Sequence, residues 1–443
     1  MIGPMTATLA PTSGRRGLLD GRVLAFATIV ISALVLRTAV TSITPLLEEL
    51  GDEVGFGSVV AGVFGMLPTA LFALFGLATP WMIRRLDLEA VAVWAMLLSA
   101  AGLIARSLVS DTGLLLLFSA VALGGMGIGN VVIPPLVKRY FSDRVALLSA
   151  MYITGVQLGT AIPPLVAVPV AEAAGWRISL GMWALVALAA LLPALGLWWS
   201  HRREDSRTVA PAPATAQVAA PVTGDDADAG IDADADADAP AIPAPVAEDT
   251  GGPLMRTSLA WGMAGMFGMT SLITYSIFTW LPRILTDAGG SAGLGGSMVA
   301  LFSAMGFISA LGAPSLCARV PNPFPVVLVC VAAYLIGFAG LYFAPMTATW
   351  VWVVFVGLGP STFPIALTLI NLRTRTHQGS AQLSGFTQGV GYTAACAGPL
   401  LFGVLRDATG GWAWPFVLLL VAMAVMTAGS YQATKPRMLE DLW

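Results

Sequence analysis

The stretch VLAFATIVISALVLRTAVTSITPLL, residues 23–47, is an apolar run with a single charge inside it. At 1.5 Å per residue a helix over this run spans a bilayer core of ~30 Å and carries Arg37 roughly 22 Å beyond Arg22. An Arg at that depth costs at least about 2.5 kcal/mol on insertion scales, so such residues face a protein interior or an aqueous cavity and find a partner there. The chain's 25 Asp and Glu residues fall in loops, at segment ends or in a central acidic stretch, and none lies within another apolar segment. The counter-ion expected for Arg37 is therefore a ligand. Two structural alternatives stay open: Arg37 caps carbonyls of a neighbouring broken helix, or it snorkels to the interface.

The surrounding sequence sets the class. Over 443 residues, 57% are hydrophobic and 11% charged, with a mean hydropathy of +0.81; soluble domains carry about 25% charged residues. An integral membrane protein is expected, all-α, with twelve transmembrane helices near 23–47, 58–82, 88–108, 112–137, 145–171, 177–200, 256–282, 294–318, 324–344, 348–371, 379–405 and 412–433. Counting Lys and Arg places 17 of the 22 on the side of the termini and the central linker, four on the other (Arg106, Arg177, Arg283, Arg406), and Arg37 between. That asymmetry predicts cytoplasmic termini and a multi-pass protein of the cell membrane. The net charge of −3 comes from nine acids between Asp225 and Asp249, without which the remainder is +6. Three cysteines, Cys317, Cys330 and Cys396, have no metal-type spacing and read as packing residues.

Residues 202–252 alternate Ala with Asp and carry frequent Pro, so they bury too little apolar surface to fold and are expected to be a disordered tether. The expected organisation is a tail at 1–21, a six-helix bundle at 22–201, the acidic linker, a second bundle at 253–434 and a tail at 435–443. The two bundles repeat one another. PLLEELG (45–51) matches PRILTDAG (282–289), Pro80 and Arg85 match Pro314 and Arg319, and GIGNVVIP (127–134) matches GLGPSTFP (357–364). SAMYITGVQLGTAIPPL (149–165) matches SGFTQGVGYTAACAGPL (384–400), and Gly175-Trp176 matches Gly411-Trp412. Five ordered matches at offsets near 235 argue for duplication, and with it two pseudo-symmetric six-helix bundles enclosing a midplane site.

Two such halves joined by a long loop resemble the major facilitator plan. Its usual pattern between the second and third helices is degraded here to GLATPWMIRR (76–85), with Pro80 where an Asp belongs. The stretches LRTAVTSITPLLEEL (36–50), GGMGIGNVVIPPLVKRYF (124–141) and YSIFTWLPRIL (275–285) resemble the cyanate permease and 2-nitroimidazole transporter family of the major facilitators. The resemblance implies alternating access by rocking of the halves and a small anionic or planar polar substrate.

Around Arg37 the sequence suggests further lining groups. At 100° per residue Arg37, Thr41, Thr44 and Glu48 share a stripe about 60° wide on one helix. The duplication sets Thr274 opposite Arg37, beside Tyr275, and makes Gln157 equivalent to Tyr392, with Gln388 one turn earlier. Asn130 sits among close-packing glycines, and Trp280 reads equally as a lining residue or an interface anchor. The expected substrate contacts are Arg37, Thr41, Asn130, Gln157, Tyr275, Trp280, Gln388 and Tyr392. His201 and His377 lie in loops, and no triad, paired-carboxylate or phosphate-loop pattern is present, so no enzyme is expected. Nor is a cofactor, a metal or a nucleic-acid partner expected; the expected partners are a small-molecule substrate and the lipid bilayer, for a monomer. A multidrug exporter with an apolar cavity and a non-transporting receptor are the alternative readings.

Overall fold

In lipid an apolar chain has no hydrogen-bond partner but itself, so each long run must close into a helix. The computed structural model describes residues 21–208, 254–320 and 322–442, and among them are twelve long helices. The first half contains α1 (Val23–Val54, interrupted), α2 (Ser58–Arg85), α3 (Leu88–Leu108), α4 (Thr112–Tyr140), α5 (Val145–Ala174) and α6 (Trp176–Arg203). The second contains α7 (Ser258–Asp287), α8 (Ala292–Arg319), α9 (Phe324–Phe343), α10 (Thr349–Leu372), α11 (His377–Thr409) and α12 (Ala413–Thr434). With an even count, both ends of each half lie on one face, called here the terminal face.

Eleven of the twelve are long and apolar enough to cross a bilayer. The other is α7, whose middle carries Thr270, Ser271, Thr274, Ser276 and Thr279. Of its 30 residues 21 are buried, so its hydroxyls face protein rather than lipid. Four of them bond carbonyls one turn back within the helix, which removes most of their cost.

The halves meet along α2 against α11 and α5 against α8. Close approach depends on absent side chains: a Cβ on Gly62 of α2 would lie 2.8 Å from the carbonyl oxygen of Pro399 in α11, and one on Gly296 of α8 would strike that of Pro164 in α5.

Four expectations either fall outside the described residues or are refined by the structure. Residues 1–20 and 209–253, most of the expected tail and linker, lie outside the described residues. Residues 202–208, expected in the linker, are helical: beyond the apolar span of α6, which ends at Arg203, the helix runs on to Thr208, as the Arg and Glu residues there, good helix formers, allow. The described part of the expected C-terminal tail, residues 435–442, is docked: Leu439 is buried and its N–H donates to the carbonyl of Arg373 at 2.8 Å. Arg106, counted on the face opposite the termini, lies at that end of α3 and is fully buried.

Candidate functional site

α1 is not one continuous helix. It stops at Val35 and restarts at Thr38, with Arg37 at φ −126° and ψ −6° in the break. The Thr38 hydroxyl donates to the carbonyl of Val35 at 2.9 Å, supplying a bond where the backbone ladder lapses. A second irregularity is a 3₁₀ turn at Thr44–Leu46 containing Pro45. Pro45 has no N–H to give the carbonyl of Thr41, and the Thr44 hydroxyl bonds that carbonyl instead, at 3.3 Å.

These breaks divide the polar stripe that a straight helix would carry. Arg37 and Thr41 line a central cavity of about 650 Å³ between the halves, whereas Thr44 and Glu48 line a separate vestibule at the face opposite the termini. Thr41 is turned partly inward, its hydroxyl bonded to the carbonyl of Arg37 at 3.3 Å.

In the cavity, Arg37 donates from Nη1 to the hydroxyl oxygen of Tyr275 at 2.7 Å, a bond from α1 to α7 across the two halves. Its guanidinium also lies over the Phe72 ring of α2, 4.8 Å from the centroid, close enough for a cation–π attraction of roughly 0.5–2 kcal/mol. Tyr152 of α5 and Tyr392 of α11 stand in the same wall. Arg37 is the one charged side chain among the described residues lining the cavity, and its partners there are neutral.

Asn130 lines the cavity with its amide tied to the carbonyl of Met126 at 3.0 Å. Gln157 also lines it and reaches across from α5 to the carbonyl of Ser303 in α8 at 3.4 Å. Thr274, the repeat counterpart of Arg37, faces the cavity as well. Six of the eight expected contacts, Arg37, Thr41, Asn130, Gln157, Tyr275 and Tyr392, therefore share one space. The other two do not. Trp280 is buried on the vestibule side, donating to the carbonyl of Pro399 at 2.9 Å and stacked on Phe402. Gln388 donates to Ser384 at 2.8 Å along its own helix and is not among the lining residues.

Sequence reasoning missed Phe72, which no spacing marks, and the burial of Arg106, which it used only as a charge on the face opposite the termini. The latter was legible: Arg106 lies inside the apolar run 88–108. Its Nη1 donates to the carbonyl of Ala39 at 3.2 Å and its Nη2 to Ser42 at 3.0 Å, so α3 grips the short helical piece just beyond the break.

The cavity extends along α10 from Pro360 to Asn371 and Leu372, which end that helix on the terminal face. The opposite end is closed by ion pairs: Arg283 of α7 meets Glu48 of α1 at 2.6 Å and Asp287 at 2.9 Å, and Asp287 also meets Arg406 of α11. The cavity holding Arg37 thus lies between the two halves, reaching toward the terminal face and separated from the opposite face by these ion pairs.

Residues 29–399 match the model of the Major Facilitator Superfamily. The chain belongs to that superfamily. It is 30% identical over 410 residues to the 2-nitroimidazole transporter of Escherichia coli (strain K12), covering 91% of this chain and 94% of that one. With the cyanate transport protein CynX of the same bacterium the identity is 29%, over 90% and 95% of the two chains. The fold is similar to that of a bacterial homolog of the human lysosomal transporter Spinster, solved in an inward-facing, unoccupied conformation: TM-score 0.67 at 14% identity, covering 95% of this chain and 99% of that one. The protein is thus a major facilitator transporter related to the two Escherichia coli carriers.

Proposed function

We propose that the protein carries a small anion or polar planar molecule, cyanate-like or nitroimidazole-like, across the cell membrane by alternating access, with Arg37 holding the substrate's negative end. The observation that carries this reading is the Arg37 guanidinium in a cavity whose described lining offers it hydroxyls and rings but no carboxylate. A planar two-donor fork suits carboxylate-like, nitro or cyanate groups, and a cation without an acid partner gains most from an anionic ligand. Tyr275, Tyr392, Thr41, Asn130 and Gln157 are the surrounding polar contacts, and Phe278, Phe302 and Phe363 supply apolar walls for a planar body. A volume of about 650 Å³ admits a single ring as readily as a triatomic anion. The names of the relatives, a cyanate carrier and a 2-nitroimidazole carrier, fit this range of substrates.

The Lys and Arg asymmetry supports a cytoplasmic terminal face, and in that orientation the cavity opens to the cytoplasm and the ion-paired end faces out.

The test is a melting-temperature screen of the purified full chain with cyanate, benzoate and 2-nitroimidazole, since a ligand of the folded state at 100 times its Kd stabilises by about 2.7 kcal/mol. The expected result is a shift in the wild type that Arg37→Ala lacks, with insertion and melting of the ligand-free variant preserved. Uptake by Arg37→Ala proteoliposomes equal to wild type would end this reading.

A further inference from the structure

Arg37 does more to the transport cycle than hold a ligand. Alternating access passes through a state in which both ends are shut, and whatever charge the cavity then holds is cut off from bulk water. In the empty protein that charge is the guanidinium, whose partners Tyr275 and Phe72 are neutral. An isolated charge in such a space is opposed by desolvation, and an ion pair of good geometry offsets that cost. A bound monoanion therefore lowers the barrier to the closed state, while the empty cavity faces it in full.

We propose, resting on the reading of Arg37 as the anion site, that this protein is an obligatory anion exchanger: it returns across the membrane only when loaded, so one anion enters as another leaves. The remaining cavity walls support this. Thr274, at the repeat position equivalent to Arg37, is a hydroxyl rather than an acid, so the duplication has not provided an internal counter-ion. Its hydroxyl is already committed to the carbonyl of Thr270 at 2.8 Å. Exchange of one monoanion for another moves no net charge, so its rate is insensitive to membrane potential. A uniporter taking up the same anion would move charge and respond to the potential.

The experiment uses the full chain in sealed proteoliposomes with [14C]cyanate outside, and either unlabelled potassium cyanate or potassium gluconate inside. Potassium is equal across the membrane and valinomycin clamps the potential at zero; protein-free vesicles give the leak. Internal cyanate is expected to speed initial uptake at least about tenfold over gluconate, and an imposed potential is expected to leave the exchange rate unchanged. [14C]Benzoate against internal benzoate provides the same comparison with a second monoanion. If cyanate or benzoate stabilises the wild type through Arg37 but enters gluconate-loaded vesicles at the full rate, exchange is overturned and the anion site stands. A potential-dependent exchange rate overturns it equally. If neither monoanion stabilises the wild type, the anion reading falls and exchange falls with it.

Discussion

Glu48 of α1 and Arg283 of α7 meet at 2.6 Å on the face opposite the termini, one charge from each half. Thr286 adds a 2.9 Å hydrogen bond to the same carboxylate. Both charged side chains are more than a third exposed, at 40% and 38%, so the pair contributes at most about 1 kcal/mol to stability. Between two conformers of similar free energy, however, about 1 kcal/mol changes the population ratio roughly fivefold. Glu48→Gln is therefore expected to leave the melting temperature nearly unchanged and to open the vestibule more often. A cysteine introduced at Ala292, which lines that vestibule, should react several-fold faster with a membrane-impermeant thiol reagent in the Glu48→Gln background. Equal labelling in the two backgrounds would remove the clasp from the mechanism.

The parts of this molecule readable from sequence are those fixed by periodicity and by the cost of burying charge. Twelve apolar runs gave twelve helices, and an Arg at membrane depth marked the cavity because lipid forbids any other place for it. What escaped depends on backbone irregularity and rotation. The break at Arg37 and the 3₁₀ turn at Pro45 send Thr44 and Glu48 to a different compartment from Arg37, which a straight helical wheel cannot anticipate. Gln388 and Trp280 carry polar groups at plausible depth, but each spends its donor on a partner in its own half.

Substitutions at these residues should separate accordingly. Tyr275→Phe removes the hydroxyl that accepts from Arg37 and can itself donate onward to an anion, and Tyr392→Phe thins the same wall. Each is expected to weaken apparent affinity about fivefold, equivalent to the ~1 kcal/mol of one hydrogen bond. Gln388→Ala should leave affinity unchanged. Trp280→Phe should also leave affinity unchanged, but should lower stability by about 1–2 kcal/mol because the carbonyl of Pro399 loses its donor. Isothermal titration with melting curves on the same preparations reads both quantities, and an affinity loss in Gln388→Ala would show that the cavity wall has been drawn wrongly.

Arg106 and Ser42 offer a double-mutant cycle. The Ser42 hydroxyl accepts from Arg106 at 3.0 Å, and the same guanidinium reaches the carbonyl of Ala39. Ser42→Ala alone is expected to cost about 0.5–1.5 kcal/mol, within the usual range for one bond. Arg106→Ala should cost more, about 3 kcal/mol, since it also leaves a cavity and an unsatisfied carbonyl. In the Arg106→Ala background, Ser42→Ala should be nearly neutral. Simple additivity of the two losses would mean that the bond contributes nothing to holding the piece of α1 beyond the break.

The docked C-terminal tail gives a pH-dependent prediction at the terminal mouth of the cavity. Glu440 accepts hydrogen bonds from the backbone N–H groups of Arg375 (2.9 Å) and Thr376 (3.1 Å) and from the Thr376 hydroxyl (3.1 Å). Asp441 meanwhile pairs with Arg375 at 2.6 Å. These contacts hold residues 373–376, immediately after Asn371 and Leu372 at the cavity's end. Partial burial alone would raise the Glu440 carboxyl, but the hydrogen bonds from its own backbone, Thr376 and Arg375 outweigh it and hold the group below its ordinary 4.5. A carboxyl depressed on folding adds stability that is complete above its unfolded value and is lost as pH falls through the lower folded one. Amide hydrogen exchange over residues 437–442, corrected for intrinsic rates, should therefore show steady protection from neutral pH down to about 4.5 and progressive release below it. Glu440→Gln mimics the protonated form and should lack most of that protection at neutral pH, with little further change on acidification. A Gln variant protected like the wild type at neutral pH would mean that the tail is held by Leu439 and the Asp441–Arg375 pair without help from the Glu440 carboxylate.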